Sequence, residues 1–310
     1  MLSALFVVCS ITIMGTGIGY AFYLDMIVPV FISLIYLKCD YRFTLLSAST
    51  SLLITILVIG DVASGIWMIQ SMLLGLVCGI LIVKDTTIMD DIFCSAIFAC
   101  FIMVLIDIYF SGLLGYSFLK DFQVYVDKVP LDGNLKQVIF YCLVAALPVG
   151  TIIFTYVASI LIGNKLGLLN QYADFKFNIL RNFKSYYSYL CCSKKNINKG
   201  IIFIVIMMIL GRVNFKVNHV YLKAILISIQ YIVLFVVIKD SFVFIRRYVY
   251  MKTKSGLLDL GITFGVLYLL VKKFSITTII MIICNLIINK KSSMREKQID
   301  YINYCVDATS

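Results

Sequence analysis

Few ionisable side chains interrupt the apolar stretches of this chain. Those that do are the first candidates for chemistry, because a charge in hydrocarbon is costly and persists where something uses it. Asp25 follows Gly15-Thr16-Gly17-Ile18-Gly19. Alternating glycines permit a broken helix or a close backbone approach, so Gly17, Gly19 and Asp25 could frame a polar site in the outer half of a membrane; the same residues also read as an ordinary turn between two spans. Asp61 and Asp107 lie toward the outer ends of their apolar runs, and the single tryptophan, Trp67, follows the first of them closely. Gly17, Gly19, Asp25, Asp61, Trp67 and Asp107 are therefore the candidate ligand-binding set, a pocket near the outer half of the first five spans.

Patterns for other chemistries are incomplete. Two membrane aspartates invite an intramembrane aspartyl protease, whose paired carboxylates activate water. However, Val58-Ile59-Gly60-Asp61 matches only the last two positions of Gly-x-Gly-Asp, and Asp107 lacks the Tyr-Asp context. Ser64-Gly65 and Ser111-Gly112 lack a nucleophile elbow, and the one histidine, His219, is distant in sequence. No Gly-x-x-x-x-Gly-Lys-Ser/Thr occurs, and His-Glu-x-x-His is excluded because the only glutamate is Glu296. Cys191-Cys192, in a polar stretch, could be redox-active or bind a soft metal, but no further Cys or His stands at ligand spacing. Asp240 before Arg246-Arg247, and Asp259 after Lys252 and Lys254, read as local pairs at helix ends. The residues thus assign no catalytic set, no metal and no cofactor, and the expectation is a protein that is not an enzyme.

The elements that position these residues follow from hydropathy. The chain has 310 residues, 62% hydrophobic and 14% charged, with a mean hydropathy of +1.00. A soluble domain is about half apolar and a quarter charged, so lipid is the solvent here. Apolar windows give ten candidate spans, at 2–20, 22–37, 43–60, 65–83, 92–113, 137–162, 200–213, 222–245, 256–271 and 274–289. The second is interrupted by Asp25 and Pro29 and the last two are short, so the count runs from eight to ten. The fold class is all-α, a polytopic bundle of membrane helices. Of the ten cysteines, Cys9, Cys78, Cys94, Cys100, Cys142 and Cys284 lie inside apolar runs, where a thiol is a small hydrophobe.

Charge is uneven. Residues 1–160 hold six basic and ten acidic side chains, residues 161–310 twenty-one and six. Lys165, Lys176, Arg181, Lys184, Lys194, Lys195 and Lys199 stand against Asp174 alone between 163 and 199, which makes that loop cytoplasmic by the positive-inside rule and, with ten spans, both termini as well. Within it Leu166, Leu169, Tyr172, Phe175, Ile179, Phe183 and Tyr187 recur at helical spacing. That pattern predicts an interfacial amphipathic helix on anionic lipid, with Lys165, Lys176, Arg181, Lys184, Lys194 and Lys195 as a lipid or partner surface. Nucleic acid is not an expected partner, because the flanking spans hold the segment at the membrane.

Several motifs carry a resemblance. They are Ile27-Val-Pro-Val-Phe31, the basic turn from Lys38 to Arg42, the small-residue helix Met72-Leu-Leu-Gly-Leu-Val-Cys-Gly-Ile80, Ala146-Leu-Pro-Val149, Tyr248 to Ser255, and the stop Asn289-Lys-Lys-Ser-Ser-Met-Arg295. On these the chain resembles the YybS family of bacterial membrane proteins, whose N-terminal half looks like the substrate-binding subunits of energy-coupling-factor vitamin transporters. The resemblance implies a bacterial cytoplasmic membrane, capture of a small micronutrient, and an ATPase-containing transporter module or another membrane protein as partner. Where those subunits dock their coupling subunit through Ala-x-x-x-Ala, this chain has Ala4-Leu-Phe-Val-Val8. The expected organisation is a substrate-binding bundle over 1–136, a sixth span at 137–162, the basic loop at 163–199, a second bundle at 200–289 and a polar tail at 290–310. Two functions stay open: small-molecule binding or transport without an ATPase of its own, and a membrane scaffold or regulator in envelope or sporulation processes that acts through the basic loop.

Overall fold

A computed structural model describes residues 2–17, 19–115, 117–130, 133–183, 190–212, 220–253, 256–291 and 295. Every element among them is helical: α1 Leu2–Thr16, α2 Tyr20–Lys38, α3 Tyr41–Ile59, α4 Val62–Val83, α5 Ile88–Leu114, α6 Phe118–Asp127, α7 Gly133–Lys165, α8 Gln171–Arg181, α9 Lys194–Arg212, α10 Val220–Thr253, α11 Gly256–Lys272 and α12 Phe274–Lys291. Six segments are long and apolar enough to cross a bilayer, within α2, α3, α4, α5, α7 and α10. Large apolar side chains such as Leu46, Leu53 and Leu57 of α3 face outward, as contact with lipid requires. The chain is a polytopic α-helical membrane protein.

The ten expected spans and the six long helices differ for local reasons. The first apolar run ends at Thr16 because Gly17 and Gly19 take φ of 68° and 67°, a left-handed conformation that stops a helix. The remaining 15 residues rise about 22 Å, short of a hydrocarbon core. The run expected at 200–213 is the later part of α9, which opens at Lys194. Its basic first turns keep α9 outside the six candidate spans. The last two runs are separate helices, α11 and α12, that pack as a hairpin, where Thr277 Oγ1 donates to Leu269 O at 3.0 Å.

By its internal contacts the chain divides into two compact units, Met1–Thr86 with Asp91–Phe177 and Val217–Ile232, and Thr87–Asp90 with Asn178–Lys216 and Val233–Ser310. In the first, α2 packs most extensively on α4. Gly75 makes this possible, because a Cβ there would lie 2.2 Å from Pro29 O; small residues let membrane helices approach this closely. The interruption expected at Asp25 and Pro29 is absorbed without a break. Residues Tyr23–Ile27 are π-helical, and Val28 N–H bonds to Tyr23 O, five residues back. The wider turn accommodates a proline ring that would otherwise meet the carbonyl four residues earlier.

Candidate functional site

In the first unit, α2, α4 and α5 bring three of the expected site residues around one cavity of about 50 Å³, lined by Asp25, Trp67, Gln70, Met103, Asp107 and Phe118 among others. Trp67 Nε1–H donates to Asp25 Oδ1 at 2.7 Å, and Tyr20 packs edge-on against the indole at 5.9 Å. Asp107 Oδ2 accepts from Ser117 Oγ at 2.8 Å and Oδ1 from Phe118 N–H at 2.9 Å, so this carboxylate satisfies the open start of α6. On the other side of Asp107 lies a cleft of about 420 Å³, bordered by Ser111, Lys120, Gln123, Asp127, Lys136 and Tyr141 among others. Ligand pockets are typically about 300–1,000 Å³, so only the cleft is large enough for an organic solute.

Gly17, Gly19 and Asp61 do not line either space. The two glycines form the turn into α2. Asp61 caps α4: its carboxylate accepts from Ala63 N–H at 3.0 Å, from Ser64 N–H at 3.1 Å and from the Ser64 hydroxyl. The Ser64 hydroxyl and these two amides hold the Asp61 carboxyl below its usual range. Gln70 was absent from the expected set. It is the one carboxamide in α4 and stands three residues after Trp67, so its position on the indole's face of the helix was readable.

The basic loop needs a correction at Lys176. This residue is not part of a lipid surface, because its side chain is 2% exposed. Its ammonium lies 2.8 Å from Leu81 O, 3.2 Å from Ile82 O, 2.8 Å from Lys84 O and 2.7 Å from Asp91 Oδ2. These carbonyls stand where the donors of α4 run out and the negative end of its dipole lies; Leu81 O and Lys84 O each keep one turn donor, Lys84 N–H and Thr86 N–H. Lys176 supplies further donors and the charge. Asp91 also accepts from Tyr156 and Thr86 hydroxyls. Burial pulls the Lys176 ammonium below the ordinary lysine range against the opposing pull of Asp91. The inward face of α8 is Ala173, Lys176 and Ile179, while Tyr172 is exposed. Lys165, Arg181, Lys194 and Lys195 are exposed, and Lys184 lies outside the described residues.

The second unit holds its own buried pair. Asp240 is joined by the guanidinium of Arg295 rather than by a local neighbour. Nη1 lies 3.1 Å from Asp240 Oδ1, Nη2 also bonds Oδ2, and Nε donates to Asn289 Oδ1 at 2.7 Å. The guanidinium stacks 4.3 Å over Phe244. Cys192 N–H donates to Asp240 at 2.7 Å, and Arg295 reaches the Cys192 carbonyl. Cys191 and Cys192 are buried free thiols, and burial pushes the Cys191 thiol up to about 12. Among the described residues no group of three or more His, Cys, Asp or Glu could hold a metal. His219 and Glu296 lie outside them. Comparison of the chain with protein-family models, characterised proteins and solved structures finds no match in any of the three.

Proposed function

We propose that the chain binds a small polar solute as a component of a membrane uptake system. The observation that carries this reading is the cleft of about 420 Å³ ending on Asp107. Lys120 and Lys136 offer cations, Asp107 and Asp127 anions, and Gln123 and Gln137 both donors and acceptors. A lining of that kind suits a molecule with charges of both signs better than a hydrocarbon. The resemblance to energy-coupling-factor substrate-binding subunits points the same way, toward a bacterial cytoplasmic membrane and a partner that supplies the ATPase. Native mass spectrometry of the protein from detergent tests it. A stoichiometric small molecule lost on Lys136→Ala supports solute binding, whereas a chain that carries lipid alone overturns it.

A second reading, a scaffold or regulator on anionic lipid, draws on the exposed Lys165, Arg181, Lys194 and Lys195. Replacing these four by Gln would reduce retention of anionic lipid if they form such a surface, and would leave it unchanged if they do not.

A further inference from the structure

The smaller cavity behind Asp107 has its own chemistry. Asp25 reaches it from the π-helical turn of α2, Gln70 from α4 and Asp107 from α5. Gln70 is 6% exposed and has no hydrogen-bond partner among the described residues, although it borders the cavity. Its carboxamide is a polar donor and acceptor open to whatever occupies the cavity. With Asp25 and Asp107 on the same wall, it makes the cavity a cluster of oxygen ligands.

The charges indicate what that is. Among the described residues no basic side chain lines the cavity, no cation pairs with Asp25, and its one side-chain donor is the indole N–H. Asp107 is in a different position, holding two hydrogen bonds and facing Lys120 across the neighbouring cleft. When ionised, Asp25 has no compensating cation among the described residues, and a bare charge inside a span is costly, so it is relieved by a proton or by a cation that enters the cavity. A space of about 50 Å³ takes a single ion with a water or two, not an organic solute. The donors are carboxylate and carboxamide oxygens, which select a hard cation. A single surplus charge favours a monovalent one, and Mg²⁺ would need a shell of retained waters.

We propose that this cavity binds one alkali-metal cation between Asp25, Gln70 and Asp107. The site stands whether or not the cleft takes a solute. Trp67 is the only tryptophan and is bonded to Asp25, so its fluorescence reports on the cavity. The test titrates NaCl against choline chloride, at constant ionic strength and pH, into the full chain in nanodiscs of zwitterionic lipid, with retention of ²²Na⁺ measured in parallel. The expected result is a saturable fluorescence change with stoichiometric ²²Na⁺. Asp25→Asn and Gln70→Leu should each weaken binding by about tenfold or more, with helical circular dichroism retained. Gln70→Leu keeps both carboxylates and serves where Asp25→Asn does not fold. No saturable response in the wild-type chain overturns the proposal, and so does a response unchanged in the folded variants.

Discussion

The two ends of α4 treat buried carboxylates differently. At its C-terminal end Asp91 meets two hydroxyls and the Lys176 ammonium, which also donates to the terminal carbonyls of the helix. Near its N-terminal end Asp25 meets one indole N–H and a cavity. A buried charge whose partner belongs to the same chain is closed to solution and serves the fold. A buried carboxyl with no such partner takes a proton or, as proposed for Asp25, a cation from outside. Asp240 in the second unit follows the first pattern, with Arg295 in the role of Lys176.

Lys176→Met gives the largest expected effect, about 3–5 kcal/mol of destabilisation, since it leaves Asp91 buried without a cation. Asp25→Asn, read by the same unfolding measurement in micelles, should cost under about 1 kcal/mol, because the indole keeps an acceptor. Equal losses in the two variants would erase the distinction. Next is the frame that sets Asp25 against α4. Gly75→Ala forces a Cβ onto Pro29 O and should cost about 1–3 kcal/mol. Gly112→Ala, with nothing within 4 Å, should leave thermal stability within about 0.5 kcal/mol or raise it slightly.

Asp61→Ala should remove about 1 kcal/mol of helix capping. The folded Asp61 carboxyl lies below its usual range. Its contribution is therefore present above the unfolded value, about 3.9, and lost as pH falls through the lower, folded one. The gap between wild type and Asp61→Ala in acid unfolding should close over that interval. The smallest change is one of reactivity. A Cys191 thiol raised to about 12 stays protonated near neutrality, so maleimide should label exposed Cys39 well before Cys191 or Cys192. Arg295→Gln should narrow that difference by releasing the Cys192 carbonyl.

Helices and their apolar faces were legible in the sequence because hydropathy is a local sum. Asp25, Trp67 and Asp107 were legible because polar groups in apolar runs are rare, even though the Asp25–Trp67 bond spans 42 residues. Lys176 was misread because aromatic and basic residues at helical spacing resemble a lipid-facing surface. Its actual partner, Asp91, lies 85 residues away, beyond the reach of any periodicity. Arg295 was hidden in the same way, since Asp240 has closer arginines in the chain. Helix ends were missed where backbone conformation, as at Gly17 and Gly19, outweighed apolarity.

The π-helical turn at Tyr23–Ile27 also makes α2 sensitive to residue count as well as residue type. Such a turn holds one residue more than the α register, and each residue of an α-helix advances the azimuth by about 100°. Deleting a single residue there would relax the turn to plain α-helix and keep the phase of the Pro29 half against Gly75, at the cost of setting the proline ring against the carbonyl four residues earlier. The same deletion in α4 would swing every side chain on one side of the cut off its face. A one-residue deletion that would rotate most spans off their faces would therefore keep its register here, a built-in expansion joint beside Asp25.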